Sequence, residues 1–399
     1  MLLASYFSAL VLSIVLKFWF IPNPQSISSP KHCLSYSNSS LDDLITCLDA
    51  FTVPPNYYNV SSYQAAQPTD TELEAWKDVI WSMLDTQAGD CSDIILPEAL
   101  DKYYALTPFF DLNSTTSYCA LFETTSAPVV SDYQNYTYVK GWGVFVVPAS
   151  PGRNGSRHVH ISAPHPQADI FTSQQAAAIF ALARTKSLLI SGRFRSAFRM
   201  KTECITTTKQ LYYKTDPTHD VNEPFHAANR VILEWQTVNG GCPSKTCAYV
   251  QMHGKGASSC PDDTIFISSG LGASPSSIAW YTNTTLDIPA RRLRDAARSV
   301  FLSSSSFPSP SIWRDISLPS DSSTCTILTA TSNVFGRLVN GVPENTVCTT
   351  AAEPLSGNVT GQFVHIEQAI VSREREMYEM WAEVFRMTWS GADEGEEVV

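Results

Sequence analysis

Between Arg157 and Thr185 the order of apolar and polar residues changes period. Val159 and Ile161 alternate with His158 and His160, the two-residue repeat of a half-buried strand. Pro164 and Pro166 end that run. Thr172 and Ser173 then cap a helix in which Ala176, Ile179, Phe180 and Ala183 recur at helical spacing, and a second apolar run, 187–191, stops at Gly192. The segment predicts strand, loop, helix, strand: a β-α-β unit with His165 and Asp169 in the loop after its first strand. In open α/β sheets ligands sit at the carboxyl ends of strands, so that loop is where chemistry is expected.

The same reading extends along the chain. Residues 141–148 form a buried strand, 204–213 a strand or hairpin, and 215–226 a polar loop entering a helix with Pro224 in its first turn. Strands follow at 248–253 and 265–268, and a helix at 288–302. Near the end, 363–367 is a strand with His365 and Glu367 on one face and Val364 and Ile366 on the other. Ile370, Met377, Trp381, Val384 and Phe385 then mark a terminal helix. The expected fold is α/β over 136–389: a three-layer arrangement of a mixed, largely parallel sheet flanked by helices. Residues 23–135, rich in Ser, Thr, Tyr and Pro, read as an N-terminal accessory region. It has one clear helix, entered through Thr69 and Glu72, and a second candidate at 96–106. Residues 303–311 are a loop and 390–399 a disordered acidic tail.

Composition narrows the class. With 44% apolar and 16% charged residues the chain folds around a core, and a net charge of −11 argues against nucleic acid or anionic membrane surfaces as partners. Residues 1–22 are apolar apart from Lys17 and read as a signal peptide or signal anchor, so a membrane enters only if that segment stays uncleaved. Seven glycosylation sequons begin at Asn38, Asn59, Asn113, Asn135, Asn154, Asn283 and Asn358. Ten cysteines, an even number, suit five disulfides, with Cys242 and Cys247 close enough for a local loop. These features together predict a secreted glycoprotein with at least four disulfides.

Three suspicious side chains fall at one kind of place. His165 lies just past a strand, His253 ends another and Glu367 ends a third. If those strands are parallel the three converge, with Asp169 one loop away. Two neutral imidazoles and a carboxylate are a ligand set for Zn²⁺ that leaves a position open, and a further carboxylate can then serve as general base. That arrangement hydrolyses an amide or ester. The competing readings are structural: Asp169 as a helix-entry cap, and Glu367 as a partner for Arg373 or Arg375. Arg193, Arg195 and Arg373 could hold a substrate carboxylate. Asp216, His219 and His226 could bind substrate or metal, or merely shape a helix-entry loop. His158 and His160 share a face that need not be functional.

At these residues a resemblance appears. The stretch from Ala163 to Thr172, Ala-Pro-His-Pro-Gln-Ala-Asp-Ile-Phe-Thr, resembles the Pro-His-Gly-Gly-x-Ile-Glu-x-x-Thr stretch of the phage-type poly-γ-glutamate hydrolases. Gln251-Met-His-Gly254 is similar to that family's strand ending in His-Gly. Phe363-Val-His-Ile-Glu-Gln368 resembles the terminal strand that carries the base in zinc carboxypeptidases and N-formylglutamate amidohydrolases. The resemblance covers roughly 140–260 and 360–375. It implies a zinc carboxypeptidase-like fold, His165 and His253 as metal ligands and Glu367 as general base. Asp169 lies four residues after the histidine where the family places Glu at five, and Pro166 and Gln167 stand in place of the two glycines. His-Pro-x-x-Asp is also similar to the metal-binding stretch of zinc-dependent N-acetylglucosamine deacetylases. The expectation is a secreted zinc-dependent hydrolase of peptide or γ-glutamyl-like amide bonds, acting on a peptide or small molecule. Its rivals are a zinc-dependent deacetylase and a secreted binding protein that keeps the fold without catalysis.

Overall fold

Long runs of β-branched and aromatic residues between polar loops give strands buried on both faces, which is what a central sheet between helical layers requires. The computed structural model describes residues 28–36, 40–129, 132–150, 156–207, 210–302 and 315–391. Its strands are β1 (Tyr104–Asp111), β2 (Thr116–Glu123), β3 (Ser126–Val129), β4 (Asp132–Tyr138), β5 (Val144–Pro148), β6 (Arg157–Ala163), β7 (Thr185–Ile190), β8 (Cys247–Gly254), β9 (Asp263–Ser268), β10 (Asp315–Ser317) and β11 (Phe363–Gln368). Nine of them make one sheet in the order β1-β2-β5-β7-β6-β8-β11-β9-β10, while β3 and β4 pair separately. The centre, β7-β6-β8-β11, is parallel throughout. Antiparallel strands extend it through β5, β2 and β1 on one side and β9 on the other.

Helices cover both faces. One layer holds α1 (Leu41–Asp49), α4 (Thr172–Leu182), α7 (Pro289–Ala297) and α9 (Tyr378–Thr388); the other holds α3 (Asp70–Asp85) and α5 (Pro224–Val238). Shorter helices are α2 (Val60–Ala66), α6 (Pro275–Thr282) and α8 (Val334–Val339), the last packed on β11 through Gly336 and Phe363. The expected β-α-β unit is β6-α4-β7. Its helix begins at Thr172, one residue earlier than a Thr172 cap requires: Phe171, with φ 72°, occupies the cap position and Thr172 Oγ1 donates to the Asp169 carbonyl. β7 lies on one side of β6 and β8 on the other, so the chain reverses direction across the sheet at β6. The crevice beyond the carboxyl ends of β6 and β8 is the usual ligand position of such a sheet.

Several expectations need amending. Residues 96–106 hold a one-turn helix, Glu98–Asp101, followed by the start of β1, rather than a helix along their whole length. β1 carries Pro108, which a strand tolerates at a sheet edge, where β1 sits. The sheet therefore crosses the boundary drawn at 135, since β1 and β2 are its edge. Residues 204–213 form no strand among the described residues; a single bridge joins Lys201 to Tyr213. The helix at 288–302 is α7 up to Ala297, continued by a π-helical turn to Leu302.

All ten cysteines are paired: Cys33–Cys47, Cys91–Cys119, Cys204–Cys348, Cys242–Cys247 and Cys260–Cys325. Asn59, Asn113, Asn135, Asn283 and Asn358 are exposed. The leader at 1–22, the loop at 303–311, Asn38, Asn154 and the tail beyond Gly391 lie outside the described residues.

Candidate metal centre

Three parallel strands deliver the central side chains. His165 follows β6 by two residues, His253 is the penultimate residue of β8, and Glu367 is paired in register with His253 on β11. Because both strands run the same way, registered residues point to the same face. Asp169 is brought back to His165 by the loop that precedes α4, and its carbonyl is held by Thr172.

Asp169 Oδ2 lies 3.2 Å from His165 Nδ1 and 3.3 Å from His253 Nδ1. The three donor atoms all lie within 4.8 Å of one another, and the side chains are buried. Donors about 2.0–2.1 Å from a tetrahedral zinc are separated by roughly 3.3 Å, so these spacings suit one ion. At two of the three side chains the protonation state already suits a metal. Burial pushes His253 down to about 4, with His165 and Arg195 adding to the effect, so its ring is neutral at pH 7. Burial opposes charge on Asp169 as well, but the neighbouring His165 and the bonds from His165 and His253 outweigh it and hold the carboxylate ionised.

A second layer orients the first. Asp216 accepts from His165 Nε2 at 3.1 Å, from Arg195 at 2.7 Å and from Thr218 Oγ1 at 2.8 Å, and sits 2.9 Å from His219 Nδ1. Burial would raise its pKa, yet Arg195, His219 and His165 hold it well below the carboxylate range. A carboxylate on the far nitrogen of a metal-binding imidazole fixes the tautomer that leaves the other nitrogen free to ligate. In the absence of a cation the two aspartates instead raise the His165 pKa, against burial and Arg195. His219 is locked between Asp216 and Ser332 and lies face to face with Tyr212, ring centres 3.5 Å apart.

These groups open on a cavity of about 250 Å³ lined by His165, Asp169, Arg195, His219, His253, His365 and Glu367, with Tyr212, Ser332 and Asn333 also on its wall. Glu367 is 14% exposed. Burial and the Asp169 charge push its carboxyl up to about 8, against the pull of His165, Arg195 and Arg373.

The structure thus brings together His165, Asp169, His253, Glu367, Arg195 and His219. It corrects the others. Asp216 is 1% exposed and has no place on the cavity wall; it supports His165 and Arg195 instead of meeting substrate. Arg193 is fully buried, paired with Glu223 at 2.8 Å and spent on the carbonyls of Lys140 and Ala66, so it cannot bind substrate. His226 lines a different cavity beside Lys77 and Arg230, because the face of α5 that carries it turns away from the strand ends. Arg373 donates to the Ile170 carbonyl at 2.6 Å and packs on Gly254 outside the cavity lining, which makes it a brace for the Asp169 loop rather than a catalytic group. Arg375 pairs with Asp42 and Asp43, and Glu367 forms an ion pair with neither arginine. Asp169 is a partner of the two histidines and not a cap, since α4 has no side-chain cap. His158 and His160 both bond to Gln236 and are structural. Tyr212, Thr218, Ser332 and Asn333 were not foreseen; they are ordinary polar loop residues with no spacing signal.

No family model matches the chain and no curated protein does. Among solved structures, a metallo-carboxypeptidase from Burkholderia cenocepacia aligns with a TM-score of 0.31 and 8% identity over 75% of this chain and 83% of its own. A putative carboxypeptidase from Burkholderia mallei ATCC 23344 aligns with a TM-score of 0.28 and 9% identity over 75% and 80%. Likenesses of this size assign neither a family nor an activity.

Proposed function

We propose that the chain is an exported, metal-dependent hydrolase of amide bonds, peptide or γ-glutamyl-like, with zinc as its cation. The observation that carries the reading is one carboxylate oxygen of Asp169 standing 3.2 and 3.3 Å from two imidazole nitrogens on separate strands. His165, Asp169 and His253 would hold the ion. When bound, it would supply a Lewis acid that polarises the scissile carbonyl and makes water more acidic. Asp216 keeps the His165 ring oriented. Glu367, in register with His253 and open to the cavity, would be ionised by the charge of a neighbouring cation despite its raised pKa, and in that form it accepts the proton of the attacking water and passes it to the leaving nitrogen. Arg195 is anchored through one nitrogen by Asp216 and is still 31% exposed, which leaves its fork for a carboxylate of the substrate. Asp169 facing His165, rather than turned from it, speaks against a non-catalytic binding protein. Export is supported by the five disulfides and the exposed sequon asparagines.

The test is metal content and hydrolysis of N-acyl dipeptides and γ-glutamyl peptides by the purified protein, beside Glu367→Gln and His253→Ala. Glu367→Gln keeps the shape and removes the basicity, so turnover should fall by about 10² or more with metal retained. His253→Ala should lose metal and activity together. Equal activity in Glu367→Gln and the parent would refute the assignment of the base.

A further inference from the structure

His253 has one nitrogen committed to Asp169 and another, Nε2, that is buried with no protein partner. Its ring lies 4.4 Å, centre to centre, from that of His365, whose Nδ1 is likewise buried without a partner. His365 is 5% exposed, and its Nε2 lies 3.6 Å from Glu367 Oε1. Each of His253, His365 and Glu367 offers a ligand atom within 4.8 Å of the other two. The strand neighbours of His365 share this condition. Gln251 on β8 and Ser268 on β9, its registered partners to either side, each carry a buried polar atom with no protein partner. Burying one such atom costs about 1–3 kcal/mol, and four of them on one patch of sheet mark a place built to meet something polar.

We infer that His253, His365 and Glu367 form a second divalent-cation site of zinc type, sharing His253 with the first. The inference rests on the reading of the first site given above. Two imidazole nitrogens and one carboxylate are again a zinc-type donor set rather than a calcium or magnesium one. Burial holds the His365 ring neutral, the form that ligates. With both sites filled, His253 ligates through both nitrogens as an imidazolate. Its remaining N–H proton therefore leaves to solvent, together with any proton on Glu367. The second ion lies beside the charge of the first, so it should bind at least about tenfold more weakly. Glu367 cannot be ligand and base at once, so filling this site removes the base proposed for hydrolysis.

The experiment is equilibrium dialysis of the metal-free, full-length protein against increasing Zn²⁺, with ¹⁵N-histidine NMR of the same samples. The parent, His365→Ala, His365→Gln and Asp169→Asn are compared, each checked for an unchanged far-UV spectrum. Expected are two equivalents in the parent, with the His365 ring nitrogens shifting only on the second. His365→Ala and His365→Gln should bind one. Asp169→Asn should lose the tighter equivalent and keep the weaker. One equivalent in the parent and in both His365 variants, with none in Asp169→Asn, overturns the second site and leaves the first intact. One equivalent in the parent that survives Asp169→Asn but vanishes in the His365 variants supports this site and removes the basis for the proposed function. The NMR arm decides the matter even if the variants fail to fold: no movement of His365 at saturating Zn²⁺ overturns the proposal.

Discussion

Arg193 and Arg195 leave the end of the same strand two residues apart and do different work. Arg193 is sealed in the core against Glu223, and Arg195 reaches the cavity from an anchor on Asp216. Arg193→Met should cost about 3–5 kcal/mol in denaturant unfolding at pH 7, because it strands a buried carboxylate. Burial already pushes Glu223 up to about 7 despite Arg193. The folded state therefore binds more protons than the unfolded one between pH 4.5 and 7, and this group's contribution to stability falls as pH rises through that window. The deficit of Arg193→Met should accordingly be smaller at pH 5 than at pH 7, and a deficit that shrinks as pH rises would contradict the pairing. Arg195→Lys keeps a charge but loses the fork, so KM for a substrate with a free carboxylate should rise by roughly tenfold or more while kcat changes little. Sequence spacing marked both arginines and could not separate them, since direction along a loop has no period to read. His165, His253 and Glu367 were legible for the opposite reason: each sits where a strand with a readable alternation ends.

Among elements, the parallel block β6-β8-β11 does most to make the site, and its alternation was visible in Val159, Ile161, Val364 and Ile366. β1 and β2 were missed because Pro108 and an uneven burial pattern conceal an edge strand, and α5 was recognised without the rotation that turns His226 away. The entry to β5 adds a constraint. Gly143 has φ +132° and lies so close to β7 that a Cβ would fall on the Ile190 carbonyl oxygen. Gly143→Ala should therefore destabilise by roughly 2–4 kcal/mol, through strain and loss of the β5–β7 pairing. Thermal melting measures it, and a change below about 0.5 kcal/mol would show that the two strands can part without cost.

For the molecule as a whole, the disulfides tie distant segments to the site. Cys204–Cys348 spans 144 residues and anchors the segment that leads to Tyr212 and His219. Replacing both cysteines by serine should cost about 4–5 kcal/mol through loop-closure entropy and should loosen that wall of the cavity. Denaturant titration reads the first effect and KM the second; a stability unchanged within error would mean that the cross-link constrains nothing. Complete pairing of the cysteines was legible in their even count, yet only Cys242–Cys247 could be paired in advance, because its loop is short enough for no other chain to intervene. The remaining partners meet through tertiary folding that local pattern does not carry.

X-ray absorption at the zinc edge, on protein loaded with one equivalent of Zn²⁺, tests the central claim most directly. The account predicts two imidazole nitrogens and a carboxylate oxygen at about 2.0–2.2 Å, with one imidazole lost in His165→Ala. A spectrum with no imidazole scattering, or one left unchanged by His165→Ala, would contradict it.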